Sequence, residues 1–265
     1  MSLYYKEKPE YVVECFDSLL NQTVKATEWI IVEDGPLTPE LYEVLDTYEH
    51  KYPKLIKRVP LKENGGLGNA LAIGIKHCSN ELIARMDTDD IAVPFRFEIQ
   101  LEMFNSDPNL DICGGQIREF STIPEEWTTI RAVPLKDKQI KKYHKYRDGF
   151  NHMTVMYKKS AVLSAGNYKH ALLMEDTLLW ANMFMNGVKA ANSETVLVYA
   201  RTGKDMIERR GGFKYFIKYK KGRKQVYKTG FINKFNYLIT IFIQFIVALV
   251  PMKARKFIFD KLLRR

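Results

Sequence analysis

ELIARMDTDDIAVPFRFEIQ, residues 81–100, is the stretch from which the fold is read. Leu82-Ile83-Ala84 is an apolar run of the kind a buried strand uses, and PFRFEIQLEMF (94–104) has helical spacing. Between them sit three carboxylates, Asp87, Asp89 and Asp90. Like charges this close cost stability unless something neutralises them. Hard oxygen donors in a loop suit Mg²⁺ or Mn²⁺, above all when the ion is shared with a phosphate.

Working outward, the same strand-then-helix rhythm recurs. PEYVVECFDSLLNQT reads as a helix entered through Pro9. TEWIIVEDG (27–35) reads as a buried parallel strand ending in Glu33 and Asp34. TPELYEVLDTYEHKY (38–52) is a helix capped by Thr38, and LIKRVPL (55–61) a strand. NGGLGNALAIGI (64–75) is a glycine-rich entry to a helix, and DICGGQIREF (111–120) a fourth strand. The expectation is an α/β fold, a Rossmann-like, mostly parallel sheet with helices on both faces. Ligands in such sheets bind at the carboxyl ends of the strands, where Glu33, Asp34 and the Asp87 cluster fall. Beyond residue 121 the alternation weakens. A basic helix over 136–146, a short strand over 153–157 and a helix over 174–187 remain legible.

A chain of 265 residues with 46% apolar and 12% aromatic content buries a sizeable core and is not disordered. Cys15, Cys78 and Cys113 form neither a disulfide framework nor a zinc spacing, which fits a reducing compartment. MSLYYKEKPE carries no basic-then-apolar leader. The net charge of +10 is uneven: residues 201–265 hold 18 Lys/Arg against three acids, and the rest of the chain carries −5. A basic tail seeks an anionic surface, either nucleic acid or membrane. No zinc-finger, helix-turn-helix or RNA-recognition pattern is present, so no nucleic acid is expected. A phosphatase using paired acids after a strand is the other alternative, but such a motif is usually N-terminal and followed by Thr or Val, where this chain has Ile91.

Taken together the motifs resemble the family-two inverting glycosyltransferases of the GT-A fold. D-x-D-D followed by P-x-R-F-E-x-Q, NQTVKATEWIIVEDGP, NGGLGNALAIGI, NHMTVMYKKSAVLSAGNY and MEDTLLW occur in the family's order over about residues 1–200. The most similar subgroup builds bacterial O-antigen, capsule or exopolysaccharide. The resemblance implies roles. Asp34 accepts from the uracil ring of a UDP-sugar donor, with Tyr4 near the base and Glu33, Asn64 and Gly65 around the nucleotide. Asp87 and Asp89 hold the ribose and a Mn²⁺ (or Mg²⁺) ion bridging the diphosphate. Asp90 supports them from behind or caps the next helix. Asp176 is the general base, with Glu175 beside it on acceptor hydroxyls. His152 touches diphosphate or acceptor, or is structural. Arg96 and Glu98 pair beneath the acidic loop, and Trp180 lies on the acceptor side or supports it. The donor and acceptor implied are UDP-galactose and GlcNAc-diphosphoundecaprenol, joined β1,3.

The family's first strand is normally longer and ends in P-x-Y-N. MSLYY is only its tail, with Ser2 for Pro and Tyr5 for Asn, so an upstream natural start is expected. The expected division is a GT-A domain over 1–203, with a nucleotide part (1–120) and an acceptor part (121–203), then a basic tail over 204–265. KFNYLITIFIQFIVALVPM (234–252) is short for a spanning helix and is flanked by Lys/Arg mixed with aromatics. The expectation is a membrane-associating helical tail on the anionic cytoplasmic face of the inner membrane, where a lipid-linked acceptor is reached by a peripheral enzyme.

Overall fold

The computed structural model describes residues 1–202 and 212–250. Strand β1 (Ser2–Leu3) pairs in parallel with β2 (Trp29–Glu33), and β2 with β3 (Ile56–Pro60), Trp29 standing opposite Ile56. β2 is buried at every position, as its unbroken apolar run requires. Helix α1 (Pro9–Leu20) opens with Pro9 in its first turn and buries Val12, Cys15, Phe16 and Leu19. Helix α2 (Pro39–Lys51) is capped by Thr38, whose hydroxyl accepts from the Leu41 N–H at 3.4 Å. Helix α3 (Leu67–His77) runs so close to β2 that a Cβ on Gly74 would lie 3.1 Å from a Val32 methyl.

The second sheet corrects the expectation of a mostly parallel one. It contains β4 (Leu82–Ala84), β5 (Ile91–Ala92), β6 (Ile112–Phe120), β7 (Trp127–Arg131), β8 (Met156–Lys158) and β9 (Ala190–Arg201). The order is β4-β8-β6-β9-β5, with β7 also on β6. Only β6 and β9 run parallel; every other pairing is antiparallel. The physical reason is that β4 does not pair with a strand near it in sequence. Its partner is β8, more than seventy residues on, and local periodicity carries no direction of pairing. The expected strand over 153–157 starts later, at Met156, because His152–Thr154 forms a 3₁₀ turn. β9 was not read from the sequence at all, although it is the longest strand.

Helices α4 (Arg96–Ser106), α5 (Asp137–His144), α6 (Lys159–Ser164) and α7 (Glu175–Met185) cover this sheet. One core joins Phe16, Trp29, Ile31, Phe97, Ile117 and Leu197. A second surrounds Trp180 with Phe150, Tyr157, Val162 and Met183.

Two further helices follow, α8 (Gly212–Lys228) and α9 (Lys234–Leu249), the latter opened by a reciprocal Asn233–Asn236 capping box. The polarity of α9 is inverted. α9 buries Asn236 and Thr240 while Phe235 is 66%, Phe242 63% and Leu249 65% exposed. No helix among the described residues is long and apolar enough to cross a membrane. The expected boundary at 203/204 and the segment KARKFIFDKLLRR lie outside the described residues.

Candidate active site

The carboxyl ends of β2 and β4 bring the glycine loop and the acids to one side. Gly35, just past β2, has φ +84°, and a Cβ there would come within 2.7 Å of the Asn64 backbone nitrogen. Only glycine lets the two loops approach this closely. Asp34 is buried, and its two carboxylate oxygens accept from the Gly65 N–H at 2.7 Å and the Gly66 N–H at 3.0 Å. The Asn64 amide donates to the Asp34 carbonyl at 3.0 Å. Each Asp34 oxygen keeps a lone pair for a further donor. Tyr4 lies directly after β1, whose Leu3 carbonyl accepts from the Asp34 N–H at 2.7 Å. Glu33, expected at the nucleotide, is instead taken up by Arg58 at 2.5 Å, with Asp46 and Glu49 on the same guanidinium.

Asp87, Asp89 and Asp90 present oxygens that all lie within 4.8 Å of one another. Burial, then repulsion from Asp87, raises Asp89 to about 6. Burial, then repulsion from Asp89 and Asp87, pushes Asp90 well above the carboxylate range. Glu7 is raised to about 7 by burial and by Asp89 and Asp87, so a fourth acid, missed in the sequence, faces the cluster. Two arginines also missed answer the charge. Arg85, buried at the end of β4, grips both oxygens of Asp87. Arg201 at the end of β9 donates its backbone N–H to Asp90 at 2.8 Å and its Nε to the Asp89 carbonyl at 3.1 Å. The signal for Arg85 was available: residues i and i+2 along an extended chain share a face. Arg201 had none, being 111 residues from Asp90.

Three mutually repelling carboxylates with two of them proton-hungry form a donor set that a hard divalent cation fits. Asp87 and Asp89 would hold such an ion. Asp90 is nearly fully buried and tied to Arg201, which places it behind the other two.

The expected Arg96–Glu98 pair does not form. Side chains two apart on a helix do not face each other. Arg96 is fully buried and donates to Gln100 at 3.0 Å and the Arg85 carbonyl at 2.6 Å, bracing the strand end that carries the acids. Glu98 instead accepts from the Thr23 hydroxyl at 2.9 Å.

The second acid group sits at the head of α7. Asp176 accepts from the Thr177 N–H at 2.7 Å and lies 3.9 Å from His152 Nδ1. Burial, then the charge of Asp148, raises Asp176 to about 7. His152 is neutral because burial and Arg85 push its pKa well below the usual value, and its Nε2 meets the Tyr168 hydroxyl at 2.8 Å. Trp180 is fully buried against His152 and Tyr168 and packs beneath this group. Glu175 is adjacent to the glycine segment: a Cβ on Gly68 would fall 2.7 Å from its Cγ. The Arg85 charge lowers Asp89, Asp90, His152 and Asp176, so it is felt at both acid groups.

The architecture is that of the GT-A glycosyltransferases. Residues 3–163 match "Glycosyl transferase family 2", and the chain belongs to that family. It is 40% identical over its whole length to an uncharacterized glycosyltransferase of Haemophilus influenzae, spanning 98% of it. It is 37% identical to the amylovoran biosynthesis glycosyltransferase AmsE of Erwinia amylovora, with 98% of this chain and 97% of that one covered. It is 35% identical over its whole length to the UDP-Gal:alpha-D-GlcNAc-diphosphoundecaprenol beta-1,3-galactosyltransferase of Escherichia coli, spanning 95% of it. Among solved structures, S. aureus TarS aligns with TM-score 0.62 at 16% identity, over 96% of this chain and 40% of TarS. The Pyrobaculum calidifontis mannosyltransferase with GDP-Man and Mn²⁺ aligns with TM-score 0.61 at 12% identity, over 96% of this chain and 76% of that one. At such identities these two show the fold alone.

Proposed function

We propose that the protein is an inverting hexosyltransferase that moves a sugar from a UDP-sugar to a lipid-linked saccharide in bacterial surface-polysaccharide assembly. The specific reading is galactose from UDP-galactose, joined β1,3 to GlcNAc-diphosphoundecaprenol. The observation that carries it is the full-length 35% identity to an enzyme named for that reaction.

In this reading Asp34, Asn64, Gly65 and Tyr4 bind the uridine, and Asp87 and Asp89 hold the divalent ion. Bound Mn²⁺ or Mg²⁺ neutralises charge on the diphosphate. Asp176 sits in its carboxylate form above about pH 7 and takes the proton of the acceptor hydroxyl. That oxygen bonds to the anomeric carbon as the bond from carbon to the diphosphate oxygen breaks on the opposite face, so UDP leaves and the centre inverts. His152, lacking a positive charge, adds no cation that would drag the Asp176 pKa down. Glu175 binds acceptor hydroxyls.

The proposed division is a catalytic domain over 1–203 and a membrane-association region over 204–265. The outward apolar face of α9, beside the lysines of α8, supports docking at the surface of an anionic membrane on its cytoplasmic side. The test is a donor screen with Mn²⁺ and a GlcNAc-diphosphate-lipid acceptor. Transfer from UDP-galactose with a β1,3 product is expected. Transfer only from another UDP-sugar would replace the specific reading and keep the class.

A further inference from the structure

A cavity of about 460 Å³ opens between the head of α7 and the α8–α9 hairpin. Its wall includes Thr177, the residue after Asp176, and Asp148, whose carboxylate accepts from the Thr177 hydroxyl at 2.5 Å. Among the described residues, the guanidiniums of Arg131, Arg147 and Arg223 line it. Arg223 is the informative one. It is 2% exposed, donates its Nε to the Thr240 hydroxyl at 3.2 Å and a terminal nitrogen to the Lys145 carbonyl, and makes no ion pair among the described residues. Burial pulls its pKa down, with only partial compensation from Tyr219 and Asp148. A buried cation is costly unless an anion meets it. Among the described residues of the wall, Asp148 accepts from the Thr177 hydroxyl and compensates part of the Arg223 charge from a distance, and Glu119 accepts from the Thr129 hydroxyl at 2.9 Å. The opposite side of the cavity is apolar, formed by Met174, Ile243 and Val247. Ile243 is 54% exposed, so this apolar side runs without a break into the outer face of α9 with Phe242 and Ile246.

We infer that this cavity binds the diphosphate and the first units of the hydrocarbon chain of the lipid-linked acceptor. The inference rests on the glycosyltransferase reading above. Its ligand is an anionic diphosphate head joined to an apolar chain: Arg223, Arg147 and Arg131 take the head, and Ile243 and Val247 lead the chain outward to the bilayer. The sugar carried by that diphosphate then reaches Asp176 on the helix beside it. The inverted polarity of α9 follows: Thr240 turns inward to orient Arg223, and the apolar residues line the lipid path.

The test uses the full chain saturated with UDP and Mn²⁺, so that the donor site is closed to other diphosphates. Geranylgeranyl diphosphate is titrated, with geranylgeraniol and inorganic diphosphate as comparators and phosphatidylglycerol as competitor. The diphosphate lipid is expected to bind at least about tenfold more tightly than either comparator and to resist the competitor. Arg223→Gln and Arg147→Ala are each expected to weaken it about tenfold and leave UDP affinity unchanged. Arg147 is exposed, so its variant decides the matter should Arg223→Gln fail to fold. Equal binding of the lipid alcohol, full displacement by phosphatidylglycerol, or unchanged affinity in the folded variants overturns the assignment while UDP binding leaves the transferase reading standing. Loss of UDP binding in the wild-type chain overturns both.

Discussion

The loop after β4 and the head of α7 both carry acids raised by burial and by like charge, yet they are built for different tasks. In the first, three carboxylates share a space 4.8 Å across; Arg85 grips Asp87, and Arg201 gives its backbone N–H to Asp90 while its guanidinium pairs with Glu14 and pulls on the Asp89 carboxylate only through space. In the second, burial and Asp148 raise Asp176 to about 7 against the smaller pulls of the Thr177 N–H and the Arg85 charge, and its neighbour His152 is held well below its usual pKa. A cluster of carboxylates raised by burial and mutual repulsion fits a further cation. A single carboxylate poised near neutrality fits a proton acceptor. In the proposed mechanism the same two physical effects serve a charge-holding site at one place and a proton-accepting site at the other.

Four measurements bear on that contrast. The largest effect is expected at the cluster: Asp87→Ala and Asp89→Ala abolish product formation, and EDTA does so reversibly on adding Mn²⁺ back. Full turnover in metal-free buffer would remove the distinction between the two regions. Next, Asp176→Asn keeps UDP binding by calorimetry and lowers turnover by about 10²–10⁴-fold. A variant with weakened UDP affinity and normal turnover would move Asp176 to the donor side.

A smaller effect concerns pH. Since Asp176 acts as its carboxylate, kcat rises with pH to a plateau above about 7 in the wild-type chain. Asp148→Asn removes a repulsive charge and moves that limb to lower pH, whereas an unmoved limb would assign it to another group. Stability has the opposite sign. A carboxyl raised in the folded state favours folding at low pH, and that contribution fades as pH climbs from the ordinary carboxylate range through about 7. Smallest in catalytic consequence is the lipid face: Phe242→Asp with Leu238→Asp leaves activity on a water-soluble acceptor analogue unchanged and shifts the protein from vesicle pellet to supernatant. Co-sedimentation equal to wild type would detach α9 from the bilayer.

Much of the first region was legible in sequence because its signals are local. A five-residue apolar run rich in β-branched residues and ended by acids and glycine reads as a fully buried strand, as β2 is, and Pro9 and Thr38 mark helix starts through chemistry within one turn. Three acids directly after a strand announce their own repulsion. The second sheet was not legible. AANSETVLVYAR carries no clean apolar–polar alternation because polar residues of β9 are used inside: the buried Asn192 amide donates to the Pro134 and Gly149 carbonyls at 2.7 and 2.9 Å. The Arg96–Glu98 pairing failed for a reason of helix geometry, and Glu33 was captured by an arginine from the neighbouring strand.

Local sequence is enough to tell most strands and helices of the first 120 residues, the kinship carried by the motifs, and the presence of an acid cluster at a strand end. Each of these depends on residues a few positions apart. Only the tertiary structure decided what answers the cluster, that Asp148 raises Asp176, that Glu7 joins the acids, and that α9 turns Asn236 and Thr240 inward and its phenylalanines out. Those facts arise from groups brought together across tens to a hundred residues, where burial removes water and lets a charge be felt. One-dimensional order does not encode which distant charge will be there.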